Sequence, residues 1–292
     1  MKVEDIKRVC VVGSGTMGSQ IAQQCALHGY DVVLNDVSDD LLAKAIASNR
    51  AILSRRVAKG TMTEADMEAA IARVRPVSDL KKAAGEADFV IEAVFERLDV
   101  KRAVFAKLDE ICPPHTILAT NSSTIVISLI AEVIKRKDKA CNMHFFHPVL
   151  VMELCEVVKG QWTSEETAQV AFEFCKRIGR VPVLMTKEIS GFIVNRILGK
   201  LTDEAFWLAE HGYATPEDID MAVKLGLNHP MGPFQLADFS GLDVLLFVKE
   251  QRYKETGDEN EKPPEILVDL VKAGHYGRKT GKGFYDYGKP AR

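Results

Sequence analysis

The chain has 292 residues, 47% hydrophobic and 27% charged, with a formal net charge of −3, which is room for one large or two modest globular domains. So small a net charge gives no electrostatic reason to expect nucleic acid or an anionic membrane as partner, and no apolar run approaches the roughly 20 residues that span a bilayer. The six cysteines form no C-x-x-C pair and sit mostly in apolar runs, as buried reduced thiols do, and the opening "MKVEDIKRVCVVG" enters a strand pattern without a signal-peptide core, so the expected setting is cytoplasmic.

"RVCVVG" predicts a first strand closed by glycine, and Thr16 to His28 a helix stopped by Gly29. "DVVLND" predicts a second strand. From Asp39 to Arg75 the pattern is helical, broken at Gly60, with Thr63 and Asp66 capping the second of two helices. "ADFVIEAV", "TILAT" and "ACNMHFFHP" predict three more strands, with helices over "DVKRAVFAKLDEIC" and "SLIAEVIKRK" between them. "MELCEVV" and "VPVLM" read as further strands, separated by a helix from Ser164 to Ile178 that a Thr163–Glu166 capping box opens. Strands alternating with helices imply an α/β fold, a Rossmann-type doubly wound and mostly parallel sheet. After Met185 only helical patterns follow, among them "TPEDIDMAVKLG" with its Thr cap and first-turn Pro. Residues 1–186 and a second, all-α domain over 187–292 are therefore expected.

"GSGTMG" places G-x-G-x-x-G at Gly13, Gly15 and Gly18, directly after an apolar strand and opening a helix. Gly13 permits the tight turn, Gly15 lets the backbone approach a pyrophosphate, and Gly18 lets helix and strand pack closely. Ser14, Thr16 and Met17 complete the loop, and the helix N-terminus faces the phosphates. The second strand ends in Asp36, 18 residues past Gly18. A carboxylate there accepts hydrogen bonds from both ribose hydroxyls and repels a 2′-phosphate, so the expected cofactor is NAD and not NADP. The plain alternative is a tight strand–helix turn followed by an ordinary acid. Nucleotide binding leaves the chemistry open. That must come from polar groups at other strand ends: "TNSST", "HFFHP", and "MELCEVV" with its Glu156. A doubly wound sheet gathers such ends along one edge.

Through "GSGTMGSQIAQ", "VIEAVFERLDVK", "ATNSST", "HFFHPV" with "VMELCEV", "GFIVNR", "LNHPMGPFQLADFSGLD" and "GRKTGKGFYDY", the sequence resembles the L-3-hydroxyacyl-CoA dehydrogenase family over nearly its whole length. It looks most like the bacterial 3-hydroxybutyryl-CoA dehydrogenases. The resemblance implies oxidation of a short-chain L-3-hydroxyacyl-CoA to the 3-ketoacyl-CoA by NAD, or the reverse, without a metal. It makes residues 1–186 an NAD-binding domain with an inserted helical pair, and 187–292 a substrate and dimerisation domain. The family pairs a histidine with a glutamate twelve residues later, which makes His144 the base and Glu156 its orienting carboxylate. A neutral imidazole takes the hydroxyl proton, and the carboxylate fixes its tautomer. By the same resemblance Ser123 bonds the substrate hydroxyl or the cofactor, and Asn195 the substrate. Glu96, Lys101, His147 and Lys279 lie near the cofactor. Ser54 and Lys59, with Arg55 and Arg56 beside them, meet the phosphates of coenzyme A.

Each assignment has a plainer reading. Ser123 could cap the helix that follows it. Glu96, Lys101 and Lys279 could be solvated charges, and Ser54 to Lys59 a charged helix face. Where the family usually has asparagine, this chain has His147, and where it more often has lysine, Glu153. Those two departures leave open an aromatic or polar acyl group, or a free hydroxy acid. By position alone only one of His144 and His147 faces a common site, because strand residues three apart lie on opposite faces. A paired-histidine metal site lacks a third ligand in the sequence. The rival from another class, a non-catalytic NAD-binding protein like the lens crystallin relatives, fits poorly with the joint presence of Ser123, His144, Glu156 and Asn195. Long apolar helices with Phe206 and Trp207 exceed what one small domain hides, which suggests a homodimer.

Overall fold

The computed structural model describes residues 1–288 and divides into two compact units between Ile193 and Val194. The first unit runs β1 (Arg8–Val12), α1 (Thr16–Leu27), β2 (Asp31–Asn35), α2 (Asp39–Ala58), α3 (Glu64–Ala72), β3 (Val74–Val77), α4 (Leu80–Ala84) and β4 (Phe89–Glu92). It continues through α5 (Leu98–Ile111), β5 (Ile117–Thr120), α6 (Ile127–Ala131), β6 (Ala140–Phe145), β7 (Leu154–Val158), α7 (Glu165–Arg177) and β8 (Val181–Met185). Its strands form one sheet in the order β3-β2-β1-β4-β5-β6-β7-β8. Every neighbouring pair is parallel except β6 with β7. The expected Rossmann-type α/β class is borne out, with the order reversing between β1 and β4, where such sheets bind ligands.

Both faces of the sheet are covered. Val9 and Val11 of β1 pack with Ile21, Phe89 and Phe174 on one face, while Cys10 and Val12 pack with Phe105 and Leu108 on the other. A strand buried on both sides needs apolar residues at successive positions, which is why β1 reads as an unbroken run and not an alternation.

Three local expectations are corrected. Val74–Val77, read as the end of a helical stretch, is a strand pairing with β2 at the sheet edge; Pro76 is tolerated there because an edge strand has no partner on one side. The helix read over "SLIAEVIKRK" is one short turn, Ile127–Ala131. The cap of α7 is Ser164, which accepts from Thr167 N, while Thr163 donates its hydroxyl to the Ala140 carbonyl.

The second unit holds α8 (Val194–Glu210), α9 (Pro216–Gly226), α10 (Pro233–Ser240), α11 (Leu242–Thr256) and α12 (Glu265–Lys272) around Phe206, Ile219, Phe234, Leu242 and Leu267. Two buried aspartates pin its turns. Asp220 accepts from the backbone N–H of Phe234 and Gln235 at the start of α10, and Asp238 from those of Phe284 and Tyr285. No described helix is long and apolar enough to cross a membrane.

Candidate active site

The loop between β1 and α1 lies at the sheet's reversal point. Gly13 is left-handed at φ +101°, and a β-carbon there would lie 2.5 Å from the Ala93 carbonyl oxygen beyond β4. At Gly18 a β-carbon would come within 1.9 Å of the Gly13 carbonyl oxygen. Gly15 differs, since a β-carbon there meets nothing within 4 Å. Two glycines are thus consumed by packing, and the third borders open space at the N-terminus of a twelve-residue helix. Asp36, half-buried just past β2, accepts from the Ser14 amide and hydroxyl, both at 2.7 Å, through Oδ2. Oδ1 accepts from Val37 N. An ionised carboxylate has about four acceptor sites, so three protein donors still leave it room for a ribose hydroxyl. These residues fit a dinucleotide. Thr16 is exposed and Met17 half-buried beside them. Val37 and Phe95, 93% and 83% exposed just beyond β2 and β4, are two apolar side chains that the motif reading passed over.

Beyond β4 a charged network joins three segments. Glu92 is fully buried and bonds Lys101 Nζ through both oxygens, at 2.9 and 3.2 Å. Lys101 is 1% exposed and also reaches Glu96 Oε2 at 3.2 Å. Glu96 Oε1 gathers the Ser122 hydroxyl, the Ser123 and Thr124 amides and the Thr124 hydroxyl. Burial pushes the Glu96 carboxyl up, but Lys101 and the Ser122 and Thr124 donors outweigh it and hold it below the usual carboxylate range. Lys101 is therefore not a solvated charge. Ser123 does not cap a helix, because α6 begins at Ile127 with Val126 as its N-cap. Its hydroxyl has no hydrogen-bond partner among the described residues.

His144 and Glu156 are brought together by the antiparallel pairing of β6 with β7. In the β6–β7 register they stand directly opposite, which turns a separation of twelve residues into a 2.7 Å contact from His144 Nδ1 to Glu156 Oε2. Both are buried, at 5% and 1% exposure. The other glutamate oxygen, Oε1, accepts from Ile193 N at 3.0 Å. With Nδ1 engaged by a carboxylate, Nε2 is the nitrogen left to exchange a proton. The rings of Phe146 and Phe192 flank the imidazole at 4.5 and 5.5 Å. Phe192 holds φ +48°, a left-handed backbone rare for a bulky residue. The turn it makes with Gly191 supplies both an aromatic wall for His144 and, one residue on, the amide on Glu156. The "GF" dipeptide was its only trace in the sequence.

His147 lies past the end of β6 and is exposed, so the strand-face argument does not apply to it. The loop it begins is held from two sides. The Arg56 guanidinium donates to the Leu150 carbonyl, and Arg180 donates to the Val149 carbonyl at 2.8 Å. Arg56 is thus committed to the protein, whereas Arg55 and Lys59 are exposed. The exposed Ser54 bonds its hydroxyl back to the Arg50 carbonyl. In the second unit, Asn195 is half-buried as the second residue of α8, and Lys279 pairs with Asp243.

Comparison with known proteins follows the same division. Residues 8–189 match the family model for the NAD binding domain of 3-hydroxyacyl-CoA dehydrogenase, and residues 191–287 match that of its C-terminal domain. A 3-hydroxybutyryl-CoA dehydrogenase of Clostridioides difficile is 43% identical, over 97% of this chain and 100% of its own. A probable 3-hydroxybutyryl-CoA dehydrogenase of Bacillus subtilis is 42% identical, over 97% and 98%. The crystal structure of (S)-3-hydroxybutyryl-CoA dehydrogenase from Ralstonia eutropha superposes with a TM-score of 0.90 at 41% identity, covering 98% of this chain and 100% of that one.

Proposed function

This chain belongs to the 3-hydroxyacyl-CoA dehydrogenase family, and from that premise we propose that it interconverts a short-chain L-3-hydroxyacyl-CoA, such as 3-hydroxybutyryl-CoA, and its 3-ketoacyl-CoA with His144 as the base. NAD, when bound, supplies the hydride acceptor or donor at the substrate's third carbon. The observation that carries the reading is the buried 2.7 Å contact between His144 and Glu156. Glu156 holds the Nδ1 proton, so Nε2 is free to take the substrate hydroxyl proton. The glutamate charge then stabilises the imidazolium that forms, in a pocket where little water competes. The unpartnered Ser123 hydroxyl bonds the same substrate oxygen. Asn195 orients the thioester, a role that rests on the resemblance.

Gly13, Ser14, Gly15, Thr16, Met17 and Gly18 hold the pyrophosphate at the start of α1, and Asp36 the adenosine ribose. Val37 and Phe95 offer apolar surface to the adenine. Glu96 and His147 are assigned to the nicotinamide half, and Ser54 and Lys59 to the coenzyme A phosphates. Residues 1–186 form the cofactor domain and 187–292 the substrate and dimerisation domain. A homodimer is supported by exposed apolar residues such as Ile197, Leu225 and Phe247 on the helices of the second unit. The enzyme works in the cytoplasm.

The test is a pair of substitutions. His144→Ala lowers kcat by about 10²–10⁴-fold and leaves NADH affinity unchanged, while His147→Asn keeps turnover. The opposite pattern would move the base to His147 and sink the assignment.

A further inference from the structure

Pairing between β5 and β6 stops at Thr120 opposite Asn142, yet β6 runs on through His144 to Phe145. Beyond that point two side-chain amides join the strand of the base to the connection that carries Ser123. Asn121, the first residue past β5, accepts from Phe145 N at 3.0 Å through Oδ1. Asn142 is fully buried; its Oδ1 accepts from Ile127 N at 2.8 Å, and its Nδ2 donates to the Ile125 carbonyl at 3.2 Å. Ile127 N is the first amide of α6, a donor with no partner inside its own helix. One tie thus leaves the connection just before Ser123 and meets β6 just past His144. The other leaves β6 just before His144 and meets the connection just past Ser123. Cys141, Met143 and Phe145 pack with Val9 and Ile21 on one face of the sheet, while Ala140 packs with Ile127 and Ile130 on the other. By alternation Asn142 and His144 share the face toward α6, about 7 Å apart along the strand. A carboxamide buried in a strand is costly unless both its ends are bonded. Here both are, and both to the Ser123 connection.

We propose that Asn142, with Asn121, is a positioning residue for the reaction: the two amides tie the Ser123 connection to the strand of the base on either side, and so fix the Ser123 hydroxyl against His144 Nε2 where both meet one substrate oxygen. The inference deepens the proposed function and rests on it for the part played by Ser123. The ties themselves rest on the hydrogen bonds alone.

The experiment is a double-mutant cycle in the full chain on Asn142→Leu and Ser123→Ala. It reads kcat with acetoacetyl-CoA at saturating NADH across pH, and amide hydrogen exchange at Ile127 in the protein without substrate. Ser123→Ala lowers kcat by about 10²-fold, the scale of one donor lost from a developing oxyanion. Asn142→Leu lowers it by about tenfold or more, as a reacting group is displaced. It leaves the pH profile of kcat unmoved, because the contact of His144 with Glu156 is untouched, and it speeds exchange at Ile127 by about tenfold or more. Added to Ser123→Ala, the same change costs less than about threefold, since a hydroxyl that is gone cannot be misplaced. An asparagine that only stabilises the fold acts whether Ser123 is present or not. Losses that multiply to about 10³-fold in the double variant would therefore overturn the proposal. So would an undiminished kcat in Asn142→Leu, or a shifted pH profile, which would route the effect through His144. Should Asn142→Leu fail to fold, Asn121→Ala at the half-buried tie takes its place in the same cycle, with exchange read at Phe145 and the same outcomes deciding. Undiminished kcat in Ser123→Ala would overturn the reading of Ser123 and the catalytic step of the proposal together, while faster exchange at Ile127 would still uphold the tie.

Discussion

Alanine at Gly15 and alanine at Gly18 should fail in different ways, although both lie in one six-residue motif. At Gly18 the added carbon would sit 1.9 Å from the Gly13 carbonyl oxygen and 3.3 Å from the Ala93 β-carbon. A close carbon–oxygen approach is about 3.3 Å, so α1 and β1 must separate by more than an ångström's worth of overlap. Overpacking of that kind costs about 3 kcal/mol. At Gly15 the backbone is extended at ψ −176° with φ −61°, conformations any residue adopts, and the carbon meets nothing. Loss of a favourable N-cap and relief of unfolded-state entropy nearly cancel there, so stability should stay within about 1 kcal/mol. That open space is where the pyrophosphate is proposed to lie, and a methyl group in it should weaken NADH binding by about tenfold or more, 1.4 kcal/mol. Denaturant midpoints at unchanged slope give the first quantity, and NADH titration of the folded protein gives the second. Gly15→Ala with wild-type NADH affinity would refute the placement of the cofactor. Gly18→Ala as stable as wild type would refute the packing argument.

Two further outcomes follow from single carboxylates. Glu156→Gln leaves one acceptor where His144 Nδ1 and Ile193 N require two. If the amide oxygen keeps Ile193, its NH₂ faces the imidazole and drives the proton to Nε2, so kcat should fall about 10²–10⁴-fold with NADH affinity intact; steady-state kinetics beside an NADH titration checks this. Asp88 accepts from the Lys7 and Arg8 amides and pairs with His115. Burial pushes its carboxyl up, and those donors more than reverse the push, so the group lies below its ordinary value. A lowered carboxylate contributes stability that is complete above its unfolded value near about 4 and is lost as pH falls through the folded one. Asp88→Asn should therefore cost about 1–2 kcal/mol at neutral pH and flatten the stability curve across that acid window, as denaturant titrations at several pH values would report.

Much of this architecture can be read from periodicity because parallel strands covered on both faces leave continuous apolar runs, as in β1 and β4. The edge was harder. "VRPV" is short, polar at two positions and carries a proline, so nothing but its pairing with β2 makes it a strand. The spacing from His144 to Glu156 was visible, but its physical meaning is the antiparallel register of β6 and β7, which alternation of strands and helices does not reveal. The cap of α7 was misplaced by one residue because Thr163 and Ser164 are chemically alike, and only the hydrogen bond of Thr163 to Ala140 tells them apart. The surface-charge reading of Lys101 failed because its partner Glu92 hides within an apolar strand, where a sequence reading counts it as a strand end. Phe192 left no signal beyond a preceding glycine, since its left-handed backbone is imposed by the fold around His144.

The central claim, NAD-linked redox chemistry on a short 3-hydroxyacyl thioester, is tested most directly by NADH oxidation with acetoacetyl-CoA beside a panel of longer, aromatic and carboxylate-bearing 3-ketoacyl-CoA thioesters and free 3-keto acids. The account predicts turnover of acetoacetyl-CoA at least as fast as that of any other compound in the panel. NADH binding without oxidation by any 3-ketoacyl-CoA would contradict it, and fast turnover confined to a polar or aromatic acyl group would contradict the chain length while assigning the exposed His147 to a changed pocket.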